Sequence, residues 1–311
     1  MLSAAVVVGS QRRRAQRSVL AACRQTAIDS IEVIVVDLAP PGPPDLETPP
    51  GVAVTYRRVA EARLWTWGRA EAARLARAPV IAYLEDHCYA SPGWAEALIE
   101  RHREPWAAVG YAFTNANPET WVSRRAMVND YGYWMHPAPS GPQRLLPGNN
   151  VSYKRDLLLS FGDRLERVLT PDFSLQEIFR SRGLPMCTEP RALAAHENWP
   201  TLSSLLRAGY TYGRALGAGR ARTQSWGRPR RLFYGCVSPL SAPLLGVVRL
   251  LRRLPGRPPA VVWLTLAGLP VYLLAHFAAG IGEGWGYLTG KGPGEEALDY
   301  CEIGAPHTTI G

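Results

Sequence analysis

Apolar residues in the first third of the chain fall into short continuous runs. Ala4 to Val8 is the first, Glu32 to Asp37 (E-V-I-V-V-D) the second, Val52 to Tyr56 a shorter third and Val80 to Leu84 a fourth. Runs of this length without polar alternation read as strands covered on both faces, as in a parallel sheet. Between them the period becomes helical, from about Ala15 to Gln25 and from Arg63 to Arg77, where alanines share one face and arginines another. Residues 39–51 are crowded with proline and predict a loop. The order β-α-β-β-α-β-α predicts an α/β fold built on right-handed βαβ units.

The fourth run continues into polar residues, V-I-A-Y-L-E-D-H-C-Y-A-S-P-G-W from Val80 to Trp94. Ser91 predicts a helix N-cap and Pro92 the first helical position, with Ala95, Leu98 and Ile99 on one face of the helix that follows. Glu85, Asp86 and His87 are then expected in a strand-to-helix loop. Ligands of open α/β sheets bind just beyond the carboxyl ends of strands, so this cluster is placed to hold a cation and phosphates. Asp37 ends the second strand in the same way. Further along, P-G-N-N-V-S-Y-K-R predicts a turn at Asn149 and Asn150, then a short strand; P-D-F-S-L-Q-E-I-F-R-S-R-G predicts a helix ended by Gly183.

After Thr201 the pattern changes. Ser203 to Gly219 predicts a helix, and an arginine-rich link follows to Arg231. Leu232 to Val248 carries no charged residue, and neither does Ala260 to Gly282. The second of these segments has 23 residues, against roughly 20 for a membrane-crossing helix. It is expected to be the crossing helix if one exists. The first has Pro239 and Pro243 inside it and predicts a broken, re-entrant or interfacial element. Arg228, Arg230 and Arg231 precede it, and Arg249, Arg252, Arg253 and Arg257 follow it. Positive charge favours the cytoplasmic side, so the expected location is the cytoplasmic face of the cell membrane, peripheral or with one C-terminal transmembrane helix.

Composition narrows the partners. The chain has 311 residues, 47% of them hydrophobic, which is enough for a real core and excludes a disordered protein. Its net charge is +9, and all but Lys154 and Lys291 of its 35 basic residues are arginine. Arginine suits anionic lipid and phosphate. No nucleic-acid partner is expected, because no helix-turn-helix, zinc or RNP-like pattern accompanies the charge and the basic clusters lie beside apolar segments. The five cysteines show no C-x-x-C spacing, so neither a zinc site nor a disulfide framework is expected. The opening M-L-S-A-A-V-V-V-G lacks the basic start of a signal peptide.

Four landmarks, in order, carry a resemblance: the opening strand and helix, E-V-I-V-V-D, A-Y-L-E-D-H-C-Y-A-S-P-G-W, and P-G-N-N-V-S-Y-K-R with P-D-F-S-L-Q-E-I-F-R-S-R-G. Together they resemble the family 2 glycosyltransferases over about residues 1–200. The resemblance implies a GT-A, Rossmann-like nucleotide-sugar-binding domain over residues 1–200. A helical, arginine-rich connector over 201–231, membrane-associated helices over 232–290 and a tail over 291–311 complete the expected organisation. It implies that Ser10 faces the nucleoside, Asp37 accepts a hydrogen bond from the base and Arg69 lies near the diphosphate. Glu85, Asp86 and His87 stand at the family's D-D-D or D-x-D metal motif, Asp172 at its general base and His196 at a late histidine near the metal. Asn149 and Asn150 are counted with the substrate-binding residues, though Gly-Asn also favours a tight turn by itself.

Two departures matter: Glu85 and His87 replace aspartates, and Pro171 stands where an acid commonly precedes the base. A mixed nitrogen and oxygen site favours Mn²⁺ over Mg²⁺, although Mg²⁺ remains possible. The expected activity is transfer of a sugar from a nucleotide-diphosphate donor to a hydroxyl of a cell-envelope glycan or lipid-linked acceptor, metal-dependent and inverting. The alternative is a membrane-tethered nucleotide-binding protein that has lost catalysis.

Overall fold

The computed structural model describes residues 1–39, 45–59, 64–169 and 173–292. Among the described residues the chain divides into two compact units: residues 1–114 with 136–196, and residues 115–135 with 197–292.

The first unit is built on a mixed sheet. Its strands are β1 (Leu2–Val8), β2 (Ile31–Asp37), β3 (Val54–Arg58), β4 (Val80–Glu85), β5 (Cys88–Ala90), β6 (Ala108–Asn115), β7 (Gly141–Pro142), β8 (Val151–Lys154) and β9 (Met186–His196). Their order is β3-β2-β1-β4-β8-β6-β9-β5, with β7 on β9. The pairs β3-β2, β2-β1 and β1-β4 are parallel. The pairs β4-β8, β8-β6, β5-β9 and β7-β9 are antiparallel. Every residue of β1 and β2 is buried, as their unbroken apolar runs require.

Both faces of these strands are covered. Ala5, Val7, Ile34, Val36, Ile81 and Tyr83 share one core cluster with the alanines of α2 (Trp65–Leu75), while α1 (Arg12–Cys23) and α3 (Trp94–Arg101) pack on β1 as well. At Gly68 in α2 a Cβ would come 2.7 Å from Cγ1 of Val7, so only glycine allows that helix to lie this close to β1. The parallel register sets Val8 opposite Asp37 and Val7 opposite Glu85, which brings both acids to one edge of the sheet. Three further helices complete this unit: α5 (Arg155–Leu159), α6 (Leu165–Val168) and α7 (Phe173–Ser181). They follow α4 (Trp121–Tyr131), which belongs to the second unit.

One local expectation is corrected. Ser91 and Pro92 do not open the helix: Cys88–Ala90 forms β5 first, and α3 starts at Trp94 with Gly93 as its N-cap. The strand won because β9 supplies a partner, pairing Cys88 with His196, Tyr89 with Ala195 and Ala90 with Ala194.

The second unit is helical: α4, α8 (Leu202–Thr223), α9 (Arg228–Leu251), α10 (Pro259–Ala267) and α11 (Leu269–Thr289). Here the two uncharged segments exchange the roles expected of them. The proline-containing segment is the continuous helix α9, long and apolar enough to cross a membrane. The other segment is broken at Gly268, where α10 and α11 meet at 56°. Pro270 cannot donate to a carbonyl one turn back, so the break falls where Gly268 caps α10 through Leu264 and Thr265. In α9, Pro239 deprives the Gly235 carbonyl of its helical donor, and that oxygen is where a Cβ on Gly284 of α11 would collide. The neighbouring glycine backbone fills the place, in the manner of Cα–H···O contacts between close helices.

Candidate functional site

The site begins with the end of β4. The Glu85 carboxylate leaves the sheet between three donors: Asn149 Nδ2 at 2.7 Å, the side-chain amide of Asn150, and His196 Nε2 at 3.2 Å. Asn150 also accepts from the Glu85 backbone N–H at 2.9 Å. Asn149 and Asn150 therefore clamp the acid rather than merely turn the chain. Ser18 Oγ of α1 donates to the carbonyls of Glu85 (3.0 Å) and Cys88 (2.9 Å), fixing the loop between β4 and β5.

His196 arrives on β9, held beside the loop by the β5-β9 pairing. Its ring meets that of His87 edge to face, 4.7 Å between centroids. The ligand atoms of Glu85, His87 and His196 all lie within 4.8 Å of one another. His87 Nδ1 is 2.9 Å from Asp86 Oδ1, and Arg14 Nε is 3.0 Å from the same oxygen. A carboxylate at Nδ1 fixes the ring so that Nε2 is the nitrogen left for a metal. Asp86 is buried, and its Oδ2 has no hydrogen-bond partner among the described residues. Burial would raise the Glu85 pKa, but the neighbouring His87 and the hydrogen bonds from His196 and Asn149 hold it well below the usual carboxylate range. The acid is thus kept ionised, as a metal ligand must be.

A small open cavity lies beside this cluster, lined by Val7, Trp65, Arg69, Glu85, Asp86 and Asn149 among others. Arg69 is buried, with its guanidinium 4.5 Å from the Tyr83 ring centre and 5.4 Å from that of Trp65. Two aromatic faces hold the guanidinium at the wall of this cavity.

Asp37 stands at the end of β2 with both carboxylate oxygens engaged. Arg12 donates to them at 2.9 and 3.0 Å, Tyr56 Oη donates to Oδ2, and the Ala39 N–H donates at 3.1 Å. Ser10 lies in the turn after β1, and its Oγ is buried without a hydrogen-bond partner among the described residues. Asp172 lies outside the described residues. Sequence reasoning missed Arg14 and Ser18. Their signal was present, since they sit one turn apart on α1 and so share the face turned to the loop.

Residues 10–156 match the family model described as Glycosyl transferase family 2. The chain carries a family 2 glycosyltransferase domain. No curated protein sequence matches the chain. Among solved structures, this glycosyltransferase is similar to the mannosyltransferase PcManGT from Pyrobaculum calidifontis, determined in complex with GDP-Man and Mn2+. That likeness has 16% identity and a TM-score of 0.55, and covers 91% of this chain and 87% of the other. A mycobacterial protein matches at 14% identity over 65% of this chain and 69% of its own, with a TM-score of 0.40. The first likeness gives the glycosyltransferase a GT-A fold.

Proposed function

We propose that this glycosyltransferase moves a sugar from a nucleotide-diphosphate donor to a hydroxyl of a lipid-linked or cell-envelope acceptor at a membrane surface, with a divalent ion held by Glu85, His87 and His196. The observation that carries the reading is the convergence of those three ligand atoms within 4.8 Å, beside a cavity that also presents Arg69. One carboxylate oxygen and two imidazole nitrogens fit Mn²⁺ better than Mg²⁺. A bound divalent ion supplies Lewis-acid neutralisation of the leaving diphosphate.

The chain's own residues do the rest. Asn149 and Asn150 orient the Glu85 carboxylate, and Asp86 fixes the His87 ring. Arg69, backed by Trp65 and Tyr83, is assigned to the diphosphate, and Ser10 to the nucleoside side. Arg12 covers Asp37, so base recognition by Asp37 requires Arg12 either to move or to share the contact. Asp172 is assigned as the base that takes the acceptor proton, with inversion at the transferred carbon.

The test is calorimetric titration of GDP and UDP into the purified protein with Mn²⁺, with Mg²⁺ and with chelator, repeated on His87→Ala. The expected outcome is Mn²⁺-dependent binding of one nucleotide, weakened at least tenfold in the variant. The absence of binding to either nucleotide under every condition would remove the reading. GDP-mannose is the first donor to assay, because the P. calidifontis mannosyltransferase of the same fold was solved with it.

A further inference from the structure

The helical unit has its solvent preferences reversed. Apart from Met1, every large hydrophobic side chain found exposed among the described residues belongs to this unit, with Leu240 and Trp263 both 73% exposed. The outward side of α9 carries Phe233, Val237, Leu240 and Leu244, and that of α11 carries Leu274, Phe277, Ile281 and Trp285. An apolar surface of this size calls for lipid. The open question is whether the unit crosses the bilayer or lies in one leaflet of it.

The packing of α8 on α11 decides this. Gly209 meets Ala275, Gly213 meets Ala279 and Gly217 meets Glu283, so the two helices run parallel, backbone against backbone. Added Cβ atoms at Gly282 and Gly286 would collide with the carbonyl oxygens of Tyr210 and Arg214. Wherever α11 goes, α8 accompanies it. Yet α8 carries Arg207 just before the stretch that meets Ala275 to Gly286 and Arg214 within it, and Arg207 is exposed. If α11 crossed the bilayer, the exposed Arg207 would be carried toward the hydrocarbon with it, whereas Arg214 donates to the Lys291 carbonyl past the end of α11.

The ends of α9 agree. At about 1.5 Å per residue, α9 is about 36 Å long. Arg228, Arg230 and Arg231 stand at its start and Arg249, Arg252 and Arg253 at its end, and no acidic residue occurs from 228 to 282. Of the arginines in the first turn, Arg231 donates to the Tyr287 and Leu288 carbonyls at the end of α11, while Arg228 and Arg230 sit at the positive end of the helix dipole with no acid in that turn, an arrangement that phosphates of lipid headgroups relieve. Arg230 is stacked 4.3 Å over Trp226, which in turn stacks on Tyr234 and Tyr287, forming the aromatic anchor typical of a headgroup layer.

We propose that the helical unit is monotopic: α9 and the outward face of α11 lie within one leaflet of an anionic bilayer, and α8 with both arginine clusters of α9 lies in the headgroups of that same leaflet. This rests on the membrane contact proposed above and adds its topology. Long arginine side chains at both ends of α9 can reach one headgroup layer while the helix between them stays among acyl chains.

Two measurements on the full chain test it. Arg228→Cys and Arg252→Cys, each made in a Cys236→Ser, Cys301→Ser background, are exposed to a membrane-impermeant maleimide in inside-out vesicles and in intact spheroplasts. The expected result is equal modification of both positions in the inside-out vesicles, and at least tenfold less of both in spheroplasts. Modification of one position from each side would overturn the proposal and establish a crossing. Flotation with sealed phosphatidylglycerol/phosphatidylethanolamine vesicles separates the two layers of the argument. Binding is expected, weakened about thirtyfold by Arg228→Gln with Arg230→Gln. Failure to float at all would remove the membrane contact itself and the topology with it.

Discussion

The two units of this chain bury opposite kinds of residue. In the sheet unit, Leu2, Val6, Ile34 and Leu98 are fully enclosed, Arg12 and Arg77 are held in ion pairs, and Arg69 is buried between aromatic rings. In the helical unit, the enclosed positions of α9 and α11 are largely Gly235, Ser238, Gly246, Gly280, Gly282, Gly284 and Gly286, while leucine, phenylalanine and tryptophan face outward. The two arrangements suit different solvents: water for the sheet unit and, in the reading proposed above, lipid for the helical unit. Water drives apolar side chains together, so the sheet unit gains stability from side-chain burial. Lipid gives no such drive between helices, and there close backbone approach and dispersion hold them, which small residues permit.

The largest effects should come from attacking each unit by its own rule. Ile34→Ala removes a fully buried side chain from the sheet core and is expected to cost about 2–5 kcal/mol. Leu240→Ala, at a position 73% exposed, should leave stability in detergent unchanged within about 0.5 kcal/mol. Denaturant midpoints of the two variants measure the contrast directly. Equal losses would mean that α9 is buried in an assembly and that the comparison of solvents is wrong.

Gly282→Leu is the reciprocal test. Its Cβ alone would overlap the Tyr210 carbonyl, a backbone group that cannot swing away, so a loss of about 3 kcal/mol or more is expected in detergent. Gly93→Ala in the sheet unit has open space around its Cβ and no positive φ. Thermal unfolding of that variant should match the parent. A mild Gly282→Leu phenotype would show that α8 and α11 separate easily, and the shared path assigned to them would lose its support.

The sheet unit also holds a buried titratable group of its own. His102 is buried, with Nε2 2.8 Å from Ser152 Oγ; burial, then the charge on Lys154, push its pKa down from 6.5 to about 3. Below pH 6.5 the unfolded chain takes up this proton and the folded chain does not. The stability present above pH 6.5 is therefore lost by about 1.4 kcal/mol per pH unit as the pH falls toward 3, or about 2 kcal/mol by pH 5. His102→Gln should flatten the dependence of the denaturation midpoint between pH 7 and about pH 5. An unchanged slope would assign the acid sensitivity elsewhere.

The sheet was legible because parallel strands advertise themselves: the runs at Ala4, Glu32 and Val80 needed no partner to be recognised, and an acid at a strand end is a local pattern. Glu85, His87 and His196 were likewise singled out from sequence, and the structure gathers them. What could not be read was their mutual support. Arg14 reaches Asp86 across more than seventy residues of sequence, and Arg12 reaches Asp37 through a register set by the β1-β2 pairing. The helical segments were misjudged for a related reason. Prolines at 239 and 243 read as breaks because propensity sees one helix at a time, whereas the carbonyl that Pro239 leaves free is covered by a glycine in another helix.

Helix ends carry the smallest difference between the units. In the sheet unit α1, α2 and α3 begin without any side-chain cap, because packing on the sheet already fixes them. In the helical unit α4 and α8 begin with Thr120 and Thr201, whose side chains accept from the N–H groups of Ser123 and Ser204. Thr201 is exposed, and the turn it opens leads into the helix that shares its path with α11. Thr201→Ala should cost about 1 kcal/mol, while Thr201→Ser should cost only a few tenths because the hydroxyl is retained. Because α8 is held to α11 from Gly209 onward, the damage should stay local, visible as faster amide exchange at residues 202–206 with no change in vesicle binding. Loss of vesicle binding in Thr201→Ala would mean that the damage spreads past Gly209 and that the contact with α11 does not hold α8 independently of its first turn.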